Sequence, residues 1–170
     1  MIPATIQLAG AEIELVSKVS RETILKGILD PIRDGFDYVF IDCPPSLGLL
    51  TVDALVASDS LLIPIQCEFY ALEGVTKLLE SMKMVRGNLN PDLDVFGVLM
   101  TMYDGRTTLS KQVVEEVRNY FGNRVFKTVI PRSVKLSEAP SHGVPINLYS
   151  RINKGAVAYS KLAKEVMRRG

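Results

Sequence analysis

Apolar residues fall along the chain in two alternating rhythms. Four short runs rich in β-branched and aromatic side chains have the length and composition of strands: Tyr38-Val39-Phe40-Ile41, then residues 61–65, 95–100 and 125–130. The first three are nearly unbroken in apolar character, the pattern of strands covered on both faces in a parallel sheet. Between the runs, apolar positions recur at three- and four-residue steps. Ile24, Leu25, Ile28, Leu29 and Ile32 make one helical stripe. Leu72, Val75, Leu78, Leu79, Met82 and Val85 make a second, stopped by Gly87 and Asn90-Pro91. Leu109, Val113, Val114, Val117 and Phe121 form a third that ends at Gly122, and residues 156–167 close the chain as a fourth helix. Strand and helix in alternation, with short connections, predict right-handed βαβ units and an α/β layered fold in a single domain over residues 1–170. Residues 132–149, with Pro140, Pro145 and Gly143, read as an irregular segment too long for a simple turn, a length often tied to function.

Composition narrows the class. Apolar residues make up 47% and charged residues 23%, enough apolar side chain to offset the entropy of ordering, which excludes a disordered chain. No apolar run approaches the roughly 18 residues of a membrane-spanning helix. The opening Met1-Ile2-Pro3-Ala4 lacks the basic-then-apolar layout of an export signal, so the expected setting is cytoplasmic, with Cys43 and Cys67 as reduced thiols. The net charge of +1 conceals an asymmetry. Residues 1–100 hold seven Lys/Arg against fourteen Asp/Glu, a balance of −7, whereas residues 101–170 hold thirteen against five, a balance of +8. A basic surface that attracts a polyanion accounts for this, and so do lysine-rich solvated helix faces.

Ligands of open α/β sheets gather at the carboxyl ends of the strands, and three of these ends are distinctive. Asp42 follows the first run in Ile41-Asp42-Cys43-Pro44-Pro45-Ser46. A carboxylate there can hold Mg²⁺ through water beside a phosphate, or simply cap the turn that follows. The third run opens into Thr101-Met102-Tyr103-Asp104-Gly105-Arg106-Thr107-Thr108, a turn that projects Arg106 and leads to a helix capped by Thr107 or Thr108. The fourth leads to Pro131-Arg132, Lys135 and His142, a lone histidine in a polar loop that reads as a surface residue. One histidine makes no multi-histidine metal site, and the nucleophile signature G-x-S-x-G is absent. Neither G-x-x-x-x-G-K-[ST] nor G-x-G-x-x-G occurs in the 170 residues, so none of them forms a recognisable glycine-rich phosphate loop.

Read together, these segments resemble one family. Ile41-Asp42-Cys43-Pro44-Pro45-Ser46-Leu47-Gly48, Ile63-Pro64-Ile65-Gln66-Cys67-Glu68-Phe69-Tyr70-Ala71-Leu72-Glu73-Gly74, Thr101 to Thr107, and Ile130-Pro131-Arg132 through Leu136-Ser137-Glu138-Ala139-Pro140-Ser141-His142-Gly143 resemble the ParA/Soj family of chromosome- and plasmid-partitioning ATPases, in order and at family-like spacing. The resemblance covers essentially the whole chain, and it corresponds to the C-terminal two-thirds of the family. It implies a P-loop NTPase-like fold of the SIMIBI type: a mostly parallel sheet flanked by helices, here without the N-terminal P-loop strand.

By that resemblance Asp42 is the Walker B carboxylate that organises Mg²⁺, and Pro44 and Pro45 belong to the switch loop that senses the γ-phosphate. Thr101, Met102, Pro131 and Arg132 are the strand-end residues that flank adenine. Arg106 and Lys135 stand where the family places DNA-contacting basic residues, Lys135 at a position commonly held by arginine, and Arg151, Lys154 and Lys161 extend the same face. The implied cofactors are ATP and Mg²⁺. The implied partners are DNA without sequence preference, a ParB-type protein and a second copy in an ATP-dependent dimer, with the protein nucleoid-associated. Without a phosphate-wrapping loop, this chain alone is expected to hydrolyse ATP negligibly, and an uncovered strand at residues 38–41 is expected to favour oligomers. Two alternatives use the same residues: a nucleotide-independent DNA- or ParB-binding module, and a MinD-like membrane-associated ATPase whose amphipathic last helix would be residues 156–167.

Overall fold

The structure, a computed structural model, describes residues 2–44, 48–69 and 71–170. The chain divides into two compact units, one made of residues 1–61 and 77–94, the other of residues 62–76 and 95–170.

The second unit is built on a parallel sheet of three strands, β1 (Ser60–Gln66), β2 (Asp94–Tyr103) and β3 (Val125–Pro131), in the order β1-β2-β3. The helix α5 (Thr108–Phe121) forms the crossover from β2 to β3, and α8 (Lys154–Arg169) packs on β3. β2 lies in the centre, and its run from Val98 to Met100 is buried on both faces. β1 departs from the expectation of a strand covered on both sides: Ile63 and Ile65 are buried, whereas Pro64 and Gln66 are exposed. Among the described residues it stands at an edge of the sheet, where a proline that offers no N–H is tolerated.

Leu99, Phe126, Ile130, Ala158, Leu162 and Val166 form the core between the sheet and α8, with Leu62, Phe96 and Leu136 at its margin. Gly97 is required there, because a Cβ would lie 2.7 Å from Cζ of the fully buried Phe126 ring. Thr107 caps α5 by accepting the Ser110 N–H at 3.3 Å, and Gly122, at φ +58°, ends it as the sequence indicates. Residues 132–149 are not irregular. They form α6 (Val134–Glu138), a 3₁₀ turn (Ala139–His142) and α7 (Ile146–Tyr149).

The first unit is helical: α1 (Leu8–Leu15), a 3₁₀ turn (Arg21–Thr23), α2 (Ile24–Arg33), α3 (Leu49–Ala57) and most of α4 (Ala71–Asn88). α3 buries Ala54, Leu55 and Val56, together with the carboxylate of Asp53. That carboxylate accepts the Leu25 N–H at 3.0 and 3.2 Å, satisfying one of the open donors at the start of α2. The side chain of Asn90 donates to the carbonyls of Leu55, Val56 and Ser58 and so closes the other end of α3.

The expected strand at residues 38–41 does not form. The segment is free of regular structure, and Tyr38, Val39 and Phe40 are exposed. The rings of Tyr38 and Phe40 stack at 6.2 Å, as alternate residues of an extended chain do. A strand has no hydrogen bonds of its own and exists only by pairing. No strand among the described residues pairs with this one.

Candidate functional site

The carboxyl ends of the three parallel strands meet at one edge of the sheet. Ser110, buried in the first turn of α5, joins two of them: its hydroxyl donates to the Cys67 carbonyl at 3.3 Å, just past β1, and accepts the Asp104 N–H at 3.4 Å, just past β2. The Thr101 hydroxyl donates to the Ile65 carbonyl at 3.2 Å, and the Thr101 carbonyl accepts the Cys67 N–H at 2.9 Å. The Arg132 N–H donates to the Tyr103 carbonyl at 2.9 Å, which ties the end of β3 to that of β2. Thr101, Met102, Pro131 and Arg132, the residues expected to border a base, are therefore neighbours. The structure also shows what shapes this edge. The register slips between Met100 paired with Val129 and Tyr103 paired with Pro131, so β2 bulges there, and Met102 takes a φ of +54°. A bulky residue in the left-handed region is strained, and such strain is commonly kept where a strand re-aims its end toward a ligand.

Two participants were not singled out from the sequence. Glu68, just past β1, forms a close ion pair with the Arg132 guanidinium. Ser110 occupies the buried stripe one turn before Val113 and Val114, and a small polar residue in an apolar stripe is the signal that marks it. Cys67 beside them is inert: burial first, and the charge of Glu68 next, push its thiol up to about 11.

The candidate cations also lie in the second unit. Arg106 projects from the turn after β2, and its guanidinium lies against the Asp104 carboxylate through two bonds, 2.9 Å from Nε and 2.6 Å from Nη2. Those bonds, with the Arg106 N–H, hold the Asp104 carboxyl well below the usual carboxylate range. Lys135 Nζ lies 2.8 Å from Glu138 Oε2, which also accepts the Tyr149 hydroxyl at 2.8 Å. Lys135 stands 5.5 Å over the Tyr149 ring, and that ring stacks on His142 at 4.8 Å. Lys154 and Lys161 line an open groove of about 640 Å³ with Lys127, Thr128, Ile152 and Val157, while Arg151 is exposed nearby in sequence.

Asp42 and Pro44 belong to the first unit, and both are exposed in a segment without regular structure. Pro45 lies outside the described residues. Among the described residues no group of three or more His, Cys, Asp and Glu could hold a metal ion by itself. A single carboxylate fits the way Mg²⁺ is usually held, by one or two carboxylates with water and phosphate oxygens. No helix among the described residues is long and apolar enough to cross a membrane.

A parallel sheet flanked by helices, with its polar residues gathered at the strand ends, is an architecture that many α/β proteins share, and similarity to solved structures places the chain in the P-loop NTPase class. A protein from Mycobacterium smegmatis, described as cobyrinic acid a,c-diamide synthase with bound ADP and magnesium, matches at 38% identity and a TM-score of 0.80, over 98% of this chain and 60% of its own. The cell division ATPase MinD of Pyrococcus furiosus matches at 26% identity and a TM-score of 0.70, over 88% of this chain and 59% of its own. A family model described as "AAA domain" matches residues 1–95. Among curated proteins, the sporulation initiation inhibitor protein Soj of Bacillus subtilis is 60% identical over 100% of this chain and 67% of its own length. The chromosome-partitioning ATPase Soj of Treponema pallidum is 52% identical over 99% of this chain and 66% of its own. The chain belongs to the ParA/Soj family, and it spans about two thirds of the length of these curated relatives.

Proposed function

We propose that the chain serves chromosome or plasmid partitioning as part of a nucleotide-gated DNA tether. In this reading Mg-ATP at the carboxyl edge of the sheet favours pairing of two copies, the pair holds DNA, and a ParB-type partner ends the bound state by stimulating hydrolysis. The observation that carries the reading is the convergence of Thr101, Met102, Pro131 and Arg132 at one sheet edge, in a chain 60% identical to Soj of Bacillus subtilis. Those residues would border the base, Asp42 would hold Mg²⁺ through water, and Pro44 and Pro45 would follow the state of the terminal phosphate. Bound Mg-ATP supplies a phosphoryl group whose transfer to water depends on positioning and electrostatics rather than covalent catalysis. Arg106, Lys135, Arg151, Lys154 and Lys161 would meet DNA phosphates, which carry no base information, so binding is indifferent to sequence and steeply dependent on salt. The 170 residues contain no phosphate-wrapping sequence, and by themselves they hydrolyse ATP negligibly.

The test is retention of unrelated DNA duplexes by the purified chain at about 50 and about 200 mM salt, a range over which phosphate contacts lose orders of magnitude in affinity. Equal retention of all sequences with a steep loss in salt is expected. A strong sequence preference, or no retention at all, overturns the DNA assignment. Retention that ignores Mg-ATP assigns the chain to an ungated binding module. Steady-state phosphate release above a buffer control overturns the expectation on hydrolysis.

A further inference from the structure

We infer that Asp104 and Glu138 are built-in competitors for the polyanion, each occupying a cation of the binding face until phosphates displace it. This rests on the DNA reading above and adds residues to it that the reading leaves without a role. Five cations of the second unit, Arg106, Lys135, Lys127, Lys154 and Lys161, fall into two classes. Arg106 is held by Asp104 in a two-bond fork, with a further bond from its own N–H to Asp104 Oδ1 at 3.1 Å. Lys135 is held by Glu138, whose carboxylate is itself fixed by the Tyr149 hydroxyl, and the Tyr149 ring is fixed by His142. In contrast, Lys127, Lys154 and Lys161 line the groove beside β3 and α8, and among the described residues no carboxylate reaches any of their ammonium groups. The charge of Lys154 is a smaller influence that also helps to hold the Asp104 carboxyl low.

The arrangement has a physical consequence. A phosphate that meets Lys127, Lys154 or Lys161 displaces only water and counterions. A phosphate that meets Arg106 or Lys135 must also displace a carboxylate already in place, and that carboxylate, once freed, remains close to the incoming negative charge. A single anion cannot offset this, whereas a polyanion anchored on the groove presents its next phosphates at high local concentration. The two carboxylates thus raise the threshold for binding and favour extended polyanions over isolated phosphates.

The test replaces each carboxylate by its amide. Glu138→Gln keeps an acceptor for the Tyr149 hydroxyl, and Asp104→Asn keeps one for the Arg106 N–H, so the local fold is retained while the charge is lost. Retention of a random-sequence duplex and the salt needed for elution from heparin are both measured on the full chain. Each single variant is expected to bind DNA about two- to fivefold more tightly, the size of one exposed ion pair. The double variant should bind more tightly than either, and Lys135→Gln added to Glu138→Gln should remove that variant's gain. Unchanged or weaker retention by both amide variants, with the parent chain binding DNA, overturns the inference and leaves the DNA reading standing. Later elution of the variants from heparin, with no DNA retained by any form, upholds the competition and overturns the DNA reading. Failure of every form to bind either material overturns both.

Discussion

An edge strand leaves every second backbone N–H without a ladder partner, and among the described residues β3 occupies an edge of the sheet. The side chain of Glu165 on α8 covers that edge. One oxygen accepts the Lys127 N–H at 2.7 Å and the other accepts the Thr128 N–H at 3.0 Å, with Arg169 Nη2 3.2 Å away. Both N–H groups can reach one carboxylate because β3 bulges between Val125 and Val129. Glu165→Ala removes the acceptor of two backbone donors at a side chain only 17% exposed. A hydrogen bond to a charged group contributes about 1.5–3 kcal/mol. The Lys127 N–H is open to water and regains a partner, so the net loss is that of one bond, about 2 kcal/mol. With a urea slope of about 2 kcal/mol per molar, the unfolding midpoint should fall by about 1 M.

The pH dependence supplies a second readout. Burial disfavours the ionised carboxyl of Glu165, but the two N–H donors and Arg169 outweigh it and hold the group below its ordinary value. A lowered folded value means that the stabilisation is fully present above the unfolded value, near pH 4.5, and is lost as pH falls through the folded one. The gap between the parent chain and Glu165→Ala should therefore be full at neutral pH and close progressively in acid. A midpoint shift at neutral pH below about 0.2 M, or a gap that widens in acid, would refute the account of the covered edge.

Two further perturbations probe each unit separately. Gly97→Ala sets a Cβ 2.7 Å from Phe126 Cζ and 3.1 Å from Arg169 Nη1, and the ring is fully enclosed, so the variant should lose about 1–3 kcal/mol in urea unfolding; an unchanged midpoint would show that the core yields. In the first unit, burial raises the carboxyl of Asp53 above its ordinary value, against the opposing bond from the Leu25 N–H. Its contribution is therefore greatest in acid and falls as pH rises through the folded value. Asp53→Asn, which keeps an acceptor for Leu25, should gain stability relative to the parent chain between acid and neutral pH, and a difference independent of pH would contradict the burial argument.

Much of the architecture was legible from periodicity. The stripes of α2, α4, α5 and α8 and the strands β1, β2 and β3 stand within a few residues of where three- and four-residue steps or unbroken apolar runs place them. Thr107 and Gly122 act at the two ends of α5 as their chemistry dictates. α1 and α3 were missed because their apolar residues surround the helix or leave no clean stripe, so no period stands out. The segment at residues 38–41 read as a strand by every local measure and is not one, since pairing is a property of two segments and composition reports only one. Part of the candidate site was equally legible. Thr101, Met102, Pro131 and Arg132 were found as strand-end residues, whereas Glu68 and Ser110 act through contacts with residues dozens of positions away.

The helical stripes, the turn chemistry and the motifs that assign the family are written in the order of the residues, because each depends on positions close together along the chain. Packing between distant segments settled which apolar run acquired a ladder and made β2 bulge so that Met102 takes a positive φ. The folded structure also decided which cations stand beside a carboxylate and which line an open groove. Thirteen basic residues after position 100 set the charge of that half, but whether a given charge is available depends on distances of a few ångströms across the fold.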